Sequence, residues 1–124
     1  MYKIKVLSSF SAAHFLREYK GKCEALHGHN WKVEVMVASS ELDNLGMVID
    51  FGAIKKIVNE RLKSFDHVLI NDIEYFRKVN PTSENMAKYL FDQIKEDLSQ
   101  LKCNVSEVRI WETDTSCAVF SESN

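Results

Sequence analysis

His27-Gly28-His29-Asn30-Trp31-Lys32-Val33-Glu34-Val35-Met36-Val37 changes character at every second residue. Trp31, Val33, Val35 and Val37 fall on one parity, and Lys32, Glu34 and Met36 on the other. That is the period of a strand with one buried face. His27 and His29 keep the apolar parity, so their side chains leave the same face, roughly 6–7 Å apart along the backbone. Upstream, Ile4, Val6, Ser8, Phe10, Ala12 and His14 share one parity while Lys3 and Lys5 take the other. If these two strands pair, His14 reaches the same spot as His27 and His29.

Outward from this pair the composition turns polar between residues 38 and 49, a connection marked by Ser39, Ser40, Asp43, Asn44 and Gly46. From Phe51 to Phe65 the period changes. Ile54, Ile57, Val58, Leu62 and Phe65 recur at steps of three and four, the stripe of an amphipathic helix, with Asp50 placed as its N-cap. A second helix is predicted from Pro81-Thr82-Ser83-Glu84, capped by Thr82, with Met86, Leu90, Ile94, Leu98 and Leu101 as its stripe. Val108 and Ile110 alternate with Arg109, and Cys117–Phe120 adds a last β-prone run. The order is ββααββ, an α+β fold in which two helices cover one face of a four-stranded antiparallel sheet. The opposite face, with Lys3, Lys5, Lys32, Glu34 and Arg109, is expected to be wet. Such a sheet leaves two edges unpaired, which assembly edge to edge into a ring would remove.

The chain has 124 residues, and neither low-complexity tract nor repeat divides it, so residues 1–124 read as one domain. Sixteen basic against eighteen acidic residues leave a formal charge of -2, which argues against a nucleic-acid partner. No apolar run is long enough to span a membrane, and the N-terminus lacks a secretory pattern. Cys23, Cys103 and Cys117 are odd in number and contain no CxxC pair. They imply reduced thiols rather than a disulfide framework, and hence a cytoplasmic protein. Cys103 and Cys117 are read as packing residues.

One histidine on an apolar face is ordinarily satisfied by backbone. Three at one end of a face, two of them in an HxH with Gly28 between, point instead to a metal, and neutral imidazoles suit zinc. Cys23, four residues before His27, is either a further ligand or a thiolate beside the cation. Asp66-His67 follows the first helix and is either a helix-end turn or a carboxylate-oriented proton shuttle. Glu112 shares the parity of Val108 and Ile110 and is either a surface glutamate at the end of the strand or an inward-facing carboxylate. An inward carboxylate there needs a partner, such as the adjacent N–H donors of a guanidine-like heterocycle edge.

Together, FSAAH at Phe10–His14, CEALHGHNW at Cys23–Trp31, GMVIDFG at Gly46–Gly52, FDHVLIN at Phe65–Asn71, PTSEN at Pro81–Asn85 and WETDTS at Trp111–Ser116 resemble the 6-pyruvoyltetrahydropterin synthase / QueD family over essentially the whole chain. The resemblance implies the tunnelling fold, whose ββααββ subunits close into a β-barrel trimer or hexamer with active sites between subunits. It implies zinc on His14, His27 and His29, Cys23 as catalytic thiolate, Asp66 and His67 as proton-transfer dyad, and Glu112 as anchor for the pterin. It also implies pterin contacts from Thr82 and Ser83 of a neighbouring subunit. The implied activity is that of a carbon-carbon lyase. It converts 7,8-dihydroneopterin triphosphate to 6-carboxy-5,6,7,8-tetrahydropterin, with loss of acetaldehyde and triphosphate, in queuosine and 7-deazapurine biosynthesis. The short spacing between Cys23 and His27 favours this carboxy-forming branch over the pyruvoyl-forming one. Glu24, beside Cys23, resembles variants that release 6-hydroxymethyl-dihydropterin for folate. Arg17, Lys20 and Lys22 are candidates to meet the triphosphate. A rival from another class is a non-catalytic, zinc-stabilised module, which would take Cys23 as a tight fourth ligand.

Overall fold

The computed structural model describes residues 1–122. Strand β1 (Tyr2–His14) and strand β2 (His27–Ser39) form a long antiparallel ladder running from Tyr2↔Ser39 to His14↔His27. Helix α1 (Phe51–Leu62) and helix α2 (Ser83–Asp97) follow, then β3 (Asn104–Thr113) and β4 (Ser116–Phe120). The sheet is four-stranded and antiparallel throughout, as expected, and its strand order is β1-β2-β3-β4.

One parity of each long strand is buried against the helices. Val6 and Phe10 of β1, Trp31, Val33, Val35 and Val37 of β2, and Val108 and Ile110 of β3 meet Ile54, Val58 and Leu62 of α1 and Met86, Leu90 and Ile94 of α2. Each fully buried aliphatic side chain contributes about 1.5–3 kcal/mol by leaving water. Both helices start where their caps predict. The Asp50 carboxylate accepts the Ala53 N–H at 3.0 Å, and the Thr82 hydroxyl accepts the Asn85 N–H at 3.1 Å.

Four expectations are corrected. Helix α1 stops at Leu62, and Phe65 is buried from the turn beyond it. Helix α2 ends at Asp97, so Leu98 stays buried while Leu101, past the helix, is 49% exposed. The face opposite the helices is not uniformly wet. Glu34 is buried there under Lys5, Lys32 and Arg109, whose nitrogens lie 3.6–4.0 Å from its carboxylate oxygens. Long basic side chains lay their stems over the sheet and keep their charges at its surface. Cys103 packs in the core as expected, and burial pushes its thiol pKa up. Cys117 is exposed, because it lies on the outward parity of β4.

Candidate metal centre and active site

His14 is the last residue of β1 and faces His27, the first of β2, while His29 faces Ala12. Strand parity therefore delivers all three imidazoles to one end of the helix-covered face. They meet edge-on, with ring centroids 4.6 Å (His14–His27), 4.8 Å (His27–His29) and 5.6 Å (His14–His29) apart. Trp31 forms the floor, its ring 4.9 Å from His14 and 5.1 Å from His29. The indole N–H donates to the Ala12 carbonyl at 3.2 Å, which locks that floor to β1.

Glu112 comes from β3. The β3–β4 register shifts between Trp111 and Thr113, so Glu112 is the extra residue of a bulge, a device that re-aims a side chain. Its Oε1 lies 3.1 Å from His14 Nε2 and 3.5 Å from His29 Nε2. One candidate ligand atom from each of His14, His27, His29 and Glu112 lies within 4.8 Å of the others.

The hydrogen bonds around the rings decide what they can do. His14 Nδ1 is 2.8 Å from the Pro81 carbonyl, and His27 Nδ1 is 2.8 Å from the Ala25 carbonyl. A carbonyl only accepts, so both Nδ1 atoms carry hydrogen, and each neutral ring presents a bare Nε2. Those two Nε2 atoms stand 3.1 Å apart with nothing to donate to one another. His29 Nε2 is buried without a hydrogen-bond partner. Lone pairs thus converge with a carboxylate oxygen, and a cation turns that repulsion into bonding. Backbone carbonyls behind ligating imidazoles are the usual outer shell of a metal site. Burial lowers the His29 pKa, and His27 and His14 add to this while Glu112 and Glu24 oppose it. The neutral, ligating form is favoured. The donor set fits a divalent metal of the zinc class.

Asp66 and His67 lie beside the outer edge of β1. The Asp66 carboxylate accepts the Ser11 N–H at 2.9 Å and lies 3.0 Å from His67 Nδ1. The Ser11 hydrogen bond, more than His67, holds the Asp66 pKa below the usual aspartate range. His67 itself has a left-handed φ of 59° and donates its main-chain N–H to the Ser11 carbonyl at 2.6 Å. A non-glycine residue kept there by a tertiary hydrogen bond is the kind of strain that accompanies functional sites. The dyad touches none of the three clustered imidazoles, yet His67 and His29 line one broad open depression of about 510 Å³.

Cys23 is exposed on the connection between β1 and β2 and lies outside the four-residue cluster. Beside it, Glu24 accepts the Leu16 N–H at 3.2 Å. Ser83 and Glu84, at the start of α2, share with Glu112, Ser116 and Cys117 an open cavity of about 280 Å³. Glu112 therefore borders both the imidazole cluster and a cavity within its own chain. The Thr82 hydroxyl oxygen caps α2. Arg17 is not a free cation: its guanidinium donates to the carbonyls of Val79 and Asn71 at 3.5 and 3.4 Å. Sequence reasoning missed the Pro81 and Ala25 carbonyls. No side-chain pattern reports which main-chain oxygen a fold brings to a ring.

A ββααββ chain carrying three convergent imidazoles beside a carboxylate defines an α+β protein of the tunnelling-fold class with a group that could hold a metal ion. A family model described as 6-pyruvoyl tetrahydropterin synthase matches residues 3–123, and the chain belongs to that family. It is 38% identical over 117 residues to the 6-carboxy-5,6,7,8-tetrahydropterin synthase of Bacillus subtilis, covering 89% of this chain and 78% of that protein. The enzyme of the same name from Haemophilus influenzae is 35% identical over 145 aligned positions, covering 98% of this chain and 100% of that protein. Among solved structures, the 6-pyruvoyl tetrahydropterin synthase of Caenorhabditis elegans superimposes with a TM-score of 0.84 at 29% identity, covering 98% of this chain and 96% of that one.

Proposed function

We propose that this chain is a zinc-dependent carbon-carbon lyase. It converts 7,8-dihydroneopterin triphosphate to 6-carboxy-5,6,7,8-tetrahydropterin, releasing acetaldehyde and triphosphate, as a step toward queuosine and other 7-deazapurines. The observation that carries this reading is the convergence of ring nitrogens from His14, His27 and His29 beside Glu112, in a chain whose curated relatives carry that enzyme's name.

Glu112 orients the substrate, its carboxylate accepting the paired N–H donors of the amino-pyrimidinone edge, while Thr82 and Ser83 of a neighbouring subunit contact the pterin. His14, His27 and His29 would hold a zinc ion, which supplies Lewis acidity toward the side-chain oxygens of the substrate. Cys23 takes the carbon-bound proton. His67, held by Asp66, delivers or removes the proton at the opposite side of the reacting side chain, a role suited to an exposed imidazole that exchanges with water. Glu24 accepts the Leu16 N–H through Oε1, which leaves its second oxygen open, so the identity of the product decides the hydroxymethyl-forming alternative. Cys23, outside the imidazole cluster, does not fit the tight fourth ligand that a non-catalytic zinc module needs.

Residues 1–124 act as one tunnelling-fold domain, which works in the cytoplasm as a trimer or hexamer closed through the edges of β1 and β4. No described helix is long and apolar enough to cross a membrane. Incubation with dihydroneopterin triphosphate and identification of the products tests the reading. Carboxypterin with acetaldehyde is the expected outcome. A 6-pyruvoyl or hydroxymethyl product overturns it.

A further inference from the structure

Phe15, Leu16 and Arg17 lead the chain from the end of β1 toward Cys23, and none of them belongs to a strand. Their main-chain groups are nonetheless paired, by side chains. The Asn71 amide accepts the Phe15 N–H through Oδ1 at 3.0 Å and donates through Nδ2 to the Phe15 carbonyl at 2.9 Å. Two residues on, the Asn80 amide does the same to Arg17, at 2.8 and 3.0 Å. Leu16 faces the other way and is bracketed by Glu24, whose N–H donates to the Leu16 carbonyl at 2.8 Å. Each asparagine amide offers one donor and one acceptor at the spacing of a peptide group, so it stands in for a neighbouring strand.

The clamps are themselves fixed. Asn71 is buried, and the Asn80 carbonyl accepts from the Thr82 N–H and from Asn85 Nδ2, each at 2.9 Å. Pro81, the residue after Asn80, supplies the carbonyl that orients His14. One side of this segment is therefore tied to the stretch that sets a metal-site ring. Its other side is tied to Glu24, the neighbour of Cys23.

We propose that Asn71 and Asn80 are positioning residues of the active site: by clamping the main chain of Phe15 and Arg17, they set the His14 ring and the Cys23 loop together. The inference rests on the roles proposed above for His14 and Cys23. A clamp that served only the fold would change the melting temperature and leave the thiol and the metal site as they are.

Asn80→Asp separates the two cases, since it keeps the acceptor for the Arg17 N–H and removes the donor to the Arg17 carbonyl. Two readouts besides turnover are used. One is alkylation of Cys23 by iodoacetamide, followed peptide by peptide with exposed Cys117 as internal reference. The other is the visible absorption of the Co2+-loaded protein. The expected result is an unchanged circular dichroism spectrum and Cys117 rate, a displaced Co2+ spectrum and a Cys23 rate altered about threefold or more. Turnover, kcat, should fall about tenfold or more, the range seen when an outer-shell partner of a metal site is lost. A wild-type Cys23 rate and Co2+ spectrum with only a lowered Tm overturns the proposal. If Asn80→Asp does not fold, Asn80→Ser is read against the same two outcomes. A wild-type protein that makes no carboxypterin, while the variant shows both shifts, sinks the assigned reaction and supports the positioning role.

Discussion

The two shortest histidine–carboxylate pairs among the described residues are nearly equal in length and opposite in surroundings. His14 Nε2 lies 3.1 Å from Glu112, and His67 Nδ1 lies 3.0 Å from Asp66. The His14 side chain is 2% exposed, that of His67 80%. Distance alone would give them one role. Burial separates them: the inner pair joins a buried His14 to two further imidazoles whose nitrogens converge on one point, where a cation could meet them. The outer pair exchanges protons with solvent, and its carboxylate is fixed by a main-chain N–H instead of by neighbouring rings. A pair of this kind is defined by what else touches it.

Breaking the inner pair should have the largest effect. His14→Ala removes a ligand and the contact to Pro81. Bound zinc, measured by elemental analysis after purification without chelators, should fall to near zero, and activity by roughly 10³-fold or more, since Lewis-acid stabilisation supplies several kcal/mol. Retention of one zinc per chain in that variant would contradict the assignment of the imidazole cluster. The outer pair comes next. His67→Ala should keep its zinc and its fold, while kcat drops about 10²–10⁴-fold, the usual worth of a positioned acid–base group. Zinc loss in His67→Ala would merge two sites that the structure keeps apart.

The smallest effect sharpens the contrast through pH. Asp66 titrates lower in the fold than in the unfolded chain, chiefly because of the Ser11 N–H. It therefore contributes stability at pH values above that of an unfolded aspartate, about 3.9, and loses it as pH falls through the folded value. Urea unfolding of Asp66→Asn should show a shallower loss of stability below about pH 4 than the wild type, and the same slope near neutrality. Equal acid slopes would show that the Ser11 contact does not favour the carboxylate.

Much of this was legible before any coordinates. The parity shared by Trp31, Val33, Val35, His27 and His29 is a property of successive residues, and strand geometry turns it into a common face without help from the rest of the chain. The caps at Asp50 and Thr82 are equally local, and both form as read. Errors appeared where an element ends or a neighbour intervenes. Leu101 continued a periodic stripe that α2 had already left, and Cys117 looked like packing because a five-residue strand reveals little about its outer face.

The sequence by itself determined the order of elements, the buried parity of the sheet and the identity of the three imidazoles, because periodicity needs only neighbours along the chain. Tertiary structure alone decided which ring nitrogen is bare, where the bulge aims Glu112, and how two asparagine amides hold the approach to Cys23. Those outcomes depend on main-chain donors and acceptors far away in sequence. The carbonyl behind His14 belongs to Pro81, 67 residues on, and only folding brings the two together.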